Sequence, residues 1–564
     1  MDLYTPEGEN LNGQPWNIYP RPMLVRDSFF CLNGMWDFAE SPDAEIPAQF
    51  SEQIRVPFPP ESLLSGIHRV PDENAYLYYR TAFILPEGFV KDRVILHFGA
   101  ADQIAEVWCN GTPIGRHEGG YEAFSFDITD CLQAENTLMV KITDHLSDFV
   151  FPYGKQSRKP GGMWYTPVSG IWQTVWLESV PETFIQSLEI RCDTEKAEIT
   201  VHGIEDGILT LETPDGVETV PVTVGKAIVS PANPVCWTPE NPCLYHFTVQ
   251  SGEDTVGSYF ALRKLETKEI DGIPRLCLNG KPIFFHALLD QGYYSDGLFT
   301  PASPAGYTND ILLAKNLGFN TLRKHIKIEP AFFYAECDRL GMIVWQDMVN
   351  NGDYSFLRDS ALPTVGLKKR NDRHLHKDPL TREKFIAGME SAVKQLANHP
   401  SVCGWTVFNE GWGQFCGSDM YAHLRKLDDS RFIDTASGWF GGVESDVISE
   451  HVYFRKFRFR PGKKPVFLSE FGGYVYRPEG HIFNPDKEYG YRFFKDRETF
   501  EDAFVRLYEE EILPAAKKGL CGAVYTQLSD IEEETNGLVS YDRRVVKVDP
   551  VRVKAIGDRL TNRE

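Results

Sequence analysis

From about Glu266 onward the sequence keeps returning to one pattern, a short apolar run that ends on a polar or ionisable residue. The runs are PIFFHALLD, GFNTLRKH, GMIVWQD, VCGWTVFNE, FIDTASGW, DVISEHVY, PVFLSEF and GAVYTQLSD. Each has the length of a strand, and several stretches of helical period lie between them. One such stretch carries Phe385, Met389, Val393 and Leu396 on one face and stops at Asn398-His399-Pro400. Eight strands with intervening helices predict a (β/α)8 barrel. The connections between the fifth, sixth and seventh runs are too short or irregular for full helices, so the barrel should be imperfect there. In such a barrel the strand C-termini converge on one face, and that face holds the chemistry. The run ends are therefore the candidate site: Asp290, Arg323, Asp347, Asn409 with Glu410, Trp439, His451 with Tyr453, Glu470, and Gln527 with Asp530.

Upstream the period is different. From about Pro22 to Val180 short strands alternate with turn signals. In IAEVWCNGTPIGRH the pair Asn110-Gly111 is the preferred two-residue hairpin turn. Aromatic residues are dense here (Trp36, Tyr76, Tyr79, Trp108, Trp164, Trp172, Trp176), which favours a β-sandwich or jelly roll with those rings in its core. Alternation continues through SLEIRC, AEITV, GILTLE and LYHFTV, enough for one immunoglobulin-like sandwich. The 564 residues thus divide into residues 1–180, 181–265 and 266–564.

With 80 acidic against 58 basic residues the chain carries a net charge of −22, which works against binding to nucleic acid or anionic membranes. No apolar stretch has the length of a bilayer span, and MDLYTPEGENLNGQP has neither the basic start nor the apolar core of a signal peptide. The 11 cysteines are odd in number and include no CxxC pair, so they read as reduced thiols in a cytoplasmic protein. His374 and His376 lack a recognisable set of metal-ligating partners, and no metal or other cofactor is expected. There is no HExxH and no Gly-x-Ser-x-Gly.

Two of the run ends stand out. Glu410 closes the fourth run and Glu470 the seventh, each after apolar residues and close to glycines. Strands four and seven lie on opposite sides of an eight-stranded barrel, so their last side chains can face each other across the pocket. A pair of carboxylates so placed is what glycoside hydrolysis uses. One attacks the anomeric carbon while the other protonates the leaving oxygen, and a retaining enzyme holds them about 5–5.5 Å apart. Their pKa values must be driven apart. Asn409 is a short amide suited to a sugar hydroxyl beside the reacting carbon.

The segments LNGMWDF, VWCNGTPIGRHEGGYEAFSFDIT and GIWQTVWLE, then VCWTPENPCLYHFTV, then the barrel runs with VFNEGW and LSEFGG, resemble glycoside hydrolase family 2 in order and spacing along nearly the whole chain. The resemblance implies a retaining exo-glycosidase with Glu410 as acid/base and Glu470 as nucleophile. It also implies that Arg323 helps hold the nucleophile ionised, that His451 and Tyr453 stand near it, and that Trp439 is a pocket wall. Asp290 and Asp347 become candidate hydroxyl acceptors, and Tyr525 replaces a tryptophan that many relatives carry on the eighth strand.

The β-glucuronidases of that family carry an Asn-x-Lys motif where this chain has Glu534-Thr535-Asn536. The missing lysine and the run Glu532 to Glu534 argue against a uronate and for a neutral sugar, with β-galactoside favoured. The VWQDM run and the DQGYYSDG loop leave β-mannoside, pentoside and furanoside substrates open, including arabinofuranosides and galactofuranosides. Residues 475–495 should set the pocket depth. A carbohydrate-binding protein with an inactive barrel is the competing class, and analogy with relatives allows a homo-oligomer.

Overall fold

The computed structural model describes residues 2–213, 216–364, 367 and 371–561. The first domain is a sandwich of two antiparallel sheets. One has six strands (Glu52–Val56, Gly34–Ser41, Tyr76–Phe83, Asn136–Thr143, Ile104–Cys109, Thr112–Glu118) and the other four (Phe30–Cys31, Val175–Val180, Arg93–Phe98, Phe124–Asp127). Along Asn136–Thr143 every second residue is buried, the period of a sheet with one face on a core. That core holds Trp36, Phe38, Tyr79, Leu96, Val140 and Ile171. The Asn110-Gly111 hairpin forms with both residues at positive φ, 51° and 79°, as a two-residue turn between twisted strands requires. A second, smaller sandwich pairs a three-stranded sheet (Ser187–Cys192, Ala197–His202, Lys226–Val229) with a four-stranded one (Gly216–Val222, Gly207–Thr213, Tyr245–Ser251, Asp254–Phe260).

The rest is the barrel. Its strands are β1 (Phe285–Asp290), β2 (Thr321–Lys324), β3 (Ile343–Asp347), β4 (Val402–Asn409), β5 (Phe432–Ser437), β6 (Ile448–Val452), β7 (Val466–Gly472) and β8 (Gly522–Thr526). They pair in parallel in the order β5-β4-β3-β2-β1-β8-β7-β6. All residues of β1 to β5, β7 and β8 are buried, as a parallel sheet covered on both faces demands. Inside, Phe285, Trp345, Phe432 and Phe467 form a packed layer, with the Trp345 and Phe467 rings 4.5 Å apart. The ladder is missing between β5 and β6, the stretch where the sequence offers no helix. Ten residues of glycine-rich chain join them instead, and the seam is held by side chains, chiefly a 2.9 Å hydrogen bond between Ser437 Oγ and His451 Nε2.

Candidate active site

The C-terminal ends of β4 and β7 bring Glu410 and Glu470 together. Glu410 follows the last residue of β4 with φ at +52°, a left-handed conformation that strains a side-chain-bearing residue by about 1–3 kcal/mol. Its N–H is fixed on the Ser437 carbonyl, 3.0 Å away. The glycines that follow have steric work to do. Gly411 has φ +77°, and a Cβ there would lie 2.2 Å from the Phe440 ring. Glu470 is aimed by an irregularity in β7, where the register with both neighbours skips between Leu468 and Phe471.

A carboxylate oxygen from each glutamate and a ring nitrogen of His451 lie within 4.8 Å of one another. Their surroundings are unequal. Glu470 receives Arg323 Nη1 at 3.1 Å, the Tyr453 hydroxyl in a short hydrogen bond, and faces His451 Nδ1 at 3.5 Å. Glu410 has His451 Nδ1 at 2.8 Å. Burial pushes the Glu410 carboxyl up to about 7; Lys155 and Arg323 oppose the shift and Glu534 adds to it. Burial raises Glu470 as well, with His451, Arg323 and Tyr453 working against it and Glu410 with it. With Arg323 and Tyr453 both donating to Glu470, the proton the pair shares in this low-dielectric setting belongs on Glu410.

Arg323, fully buried, ties four strands together. Its Nε donates to Asp347 Oδ1 at 2.9 Å, Nη1 to the Ser469 carbonyl at 2.9 Å and to Glu470, and Nη2 to Asn409 Oδ1 at 3.0 Å. Each of its guanidinium nitrogens is thus engaged by protein acceptors. Asp347 is likewise consumed, by Arg323 and by His325 Nδ1 at 2.6 Å. Burial pushes the Asp347 carboxyl up, but Arg323 and His325 outweigh it and hold it below its usual range. It is a support, not a free hydroxyl acceptor. Asn409 keeps its amide nitrogen free of protein acceptors among the described residues, and Trp439 lies edge-on to His451 with ring centroids 5.4 Å apart. Tyr453 also bonds Thr526 Oγ1 at 3.0 Å.

Two expected residues fall outside the site, and the two-residue period of a strand explains both. In β1 Phe285, Ala287 and Leu289 point inward, so Asp290 points out, where it pairs with Lys324 at 2.7 Å and accepts the Gly292 N–H. In β8 Val524 is inward. Tyr525 therefore packs among Phe471 and Phe504 on the helix side, its hydroxyl accepting the Tyr474 N–H at 3.3 Å. Thr526 is the residue that β8 contributes to the pocket.

The sequence reading also missed a wall that no barrel strand supplies. Residues 150–166 of the first domain lie across the rim. Tyr153 N–H and hydroxyl are fixed on the Asn350 and Gly352 carbonyls, 3.0 and 2.8 Å away. Gly154 fits against the Ile326 carbonyl, which a Cβ would approach to 2.8 Å. Trp164 stacks on Trp412 at 5.3 Å and is a pocket-side ring, not sandwich core. Glu532, Glu533 and Glu534 are fasteners for this wall and not a solvated turn. Glu532 accepts from Thr166 N at 2.9 Å, Glu533 from Gly162 N at 3.1 Å, and Glu534 from the Tyr165 hydroxyl and from Asn536 Nδ2 at 3.0 Å. Residues 475–495 extend this wall, with the Tyr489 hydroxyl 3.8 Å from Met163 Sδ and Tyr491 stacked on Tyr453 at a ring separation of 3.7 Å.

Two sandwiches followed by a barrel whose rim carries a close pair of unlike glutamates define a class, the multidomain glycosidases. Residues 274–542 match the TIM barrel domain of the glycosyl hydrolases family 2 and residues 10–181 its sugar binding domain, and this chain belongs to that family. It is 25% identical over 494 residues to a β-galactosidase of Photobacterium profundum, covering 78% of this chain but only 44% of that protein. It is 24% identical over 546 residues to a β-glucuronidase of Felis catus, covering 81% and 79%. Among solved structures, a β-D-glucuronidase of Dictyoglomus thermophilum superposes with a TM-score of 0.72 at 18% identity, covering 96% of this chain and 98% of the other. A family 2 β-galacturonidase of Eisenbergiella tayi bound to galacturonate gives 0.68 at 17%, covering 97% and 99%. This chain spans less than half the length of the Photobacterium β-galactosidase it matches.

Proposed function

We propose that this protein removes the terminal sugar of a β-glycoside with retention of configuration. Glu470, held by Arg323 and Tyr453, attacks the anomeric carbon while Glu410 gives its proton to the leaving oxygen. A water molecule then loses a proton to Glu410 and displaces Glu470 from the glycosyl-enzyme. Asn409 Nδ2 donates to a sugar hydroxyl beside the reacting carbon. The observation that carries this reading is the pair itself, with carboxylate oxygens within 4.8 Å and donors concentrated on one partner. A retaining pair is held at about that separation. The same observation counts against a purely carbohydrate-binding role. Glu470→Gln should abolish turnover and leave the unfolding transition nearly unchanged; a variant with wild-type rate would refute the nucleophile assignment. NMR of the fresh product should find the β anomer.

The sugar is either neutral, with β-galactoside the form favoured from sequence, or acidic. Glu534 in the wall supports the first. The second has its own support in Lys155, a cation that the eight strands do not provide. Rates on nitrophenyl β-galactoside, β-glucuronide, β-mannoside and α-arabinofuranoside would separate them. Eleven free cysteines favour a cytoplasmic setting, and light scattering would test for a homo-oligomer.

A further inference from the structure

Lys155 lies in the rim segment of the first domain and is 8% exposed. Its ammonium stands 5.7 Å from the centroid of Tyr165 and 5.7 Å from that of Trp412, the aromatic residue two positions beyond Glu410. Among the described residues it has no carboxylate within 4.0 Å and no hydrogen-bond acceptor. The other buried lysines among the described residues are different. Lys324 is paired with Asp290 and Glu329, Lys327 with Glu329 and Lys547 with Asp530. A lysine removed from bulk water is normally compensated by an acid. Two ring faces attract a cation, but weakly compared with a carboxylate.

Glu534, an acid that fastens the same wall, does not complete the pair; its oxygens are engaged by Tyr165 and Asn536. The charge does reach the reacting centre, since Lys155 acts electrostatically on both Glu410 and His325. Trp412, one of its two ring neighbours, follows Glu410 by two residues, so the ammonium stands beside the reacting centre. Resting on the glycosidase reading above, we infer that Lys155 is a specificity-determining residue whose ammonium receives a carboxylate carried by the substrate. Such a contact would be charge-assisted and poorly screened in this buried setting. The carboxylate could belong to the sugar or to the leaving group.

The test is Lys155→Met, which keeps the aliphatic stem between the two rings, with Lys155→Arg as the charge-retaining control and circular dichroism to verify the fold. Calorimetric titration of the full chain should show sodium galacturonate or sodium glucuronate binding at least about tenfold tighter than galactose. Lys155→Met should lose about tenfold to a hundredfold on the acid and far less on galactose, the loss of one hydrogen bond between charged groups. Lys155→Arg should recover most of it. A loss confined to kcat/KM on carboxyphenyl β-galactoside, against nitrophenyl β-galactoside, would assign the carboxylate to the leaving group. Equal binding and equal kinetics of wild type and Lys155→Met on every acidic ligand, absence of binding included, would overturn the assignment. Inactivity of Glu470→Gln alongside such equality would leave the glycosidase reading standing; full activity of Glu470→Gln would bring that reading down separately.

Discussion

Replacing Glu410 with Gln tests the division of labour between the two carboxyls through rate and stability together. Burial lifts the Glu410 carboxyl from 4.5 to about 7. As proton donor it must be protonated, so kcat/KM should fall along an alkaline limb near pH 7. Between pH 6 and pH 8 the protonated fraction drops about tenfold, and so should the rate on a glycoside with a poor leaving group. Gln cannot donate a proton to the leaving oxygen in this way. The limb should vanish and the rate on that substrate fall about 10²- to 10⁴-fold, while a dinitrophenyl glycoside, whose leaving group needs no proton, loses much less in its first step.

The stability change has a definite sign. A carboxyl raised on folding binds its proton more tightly in the native state, so its contribution is present below pH 4.5 and is lost as pH rises through about 7. The shift corresponds to about 3 kcal/mol as an order of magnitude. Glu410→Gln removes a buried charge that wild type carries only at high pH. Urea unfolding should therefore find the variant gaining about 3 kcal/mol on wild type between pH 4 and pH 9. A persistent alkaline limb, equal losses across leaving groups, or a pH-independent stability difference would each refute the reasoning.

Five further substitutions probe the frame around the pair. Arg323→Met leaves Asp347 and Glu470 buried without their cation, and should cost about 3–5 kcal/mol in urea unfolding and nearly all activity; Arg323→Lys, lacking the planar fork, should recover little. Gly438→Ala should displace His451, because a Cβ at this φ of +80° would lie 2.5 Å from its ring. A lower kcat and a moved alkaline limb would register it, and an unchanged pH profile would argue against His451 as a partner of Glu410. Tyr525→Phe should leave kcat/KM within about twofold, since its hydroxyl only accepts the Tyr474 N–H, whereas Tyr453→Phe should lower kcat by about tenfold or more through lost hydrogen bonding to Glu470.

The barrel was legible because a parallel sheet covered on both faces needs long apolar runs, and chemistry sits where those runs stop. The same rule brought Glu410, Glu470, His451 and Tyr453 into one pocket. It misassigned Asp290 and Tyr525 because naming a strand's end does not say which face its last residue takes; one position of offset separates lumen from helix layer. Inward neighbours such as Leu289 and Val524 carried that information in their spacing. Asp434, pushed up to about 7 by burial, and His325, pushed down to about 3, were overlooked because nothing in local sequence marks a lumen-facing polar residue. Trp164 and Lys155 were beyond reach for a different reason. Their shared neighbour Trp412 lies about 250 positions later in the chain, and no periodic pattern spans that separation.

The strip from Tyr153 to Thr166 has a bearing on how this molecule can be cut or recombined. A catalytic module trimmed to the barrel alone would keep both glutamates and lose one bank of the groove, so it could retain chemistry while forfeiting choice of ligand. Chimeras that exchange the amino-terminal sandwich between relatives should, for the same reason, carry selectivity along with it.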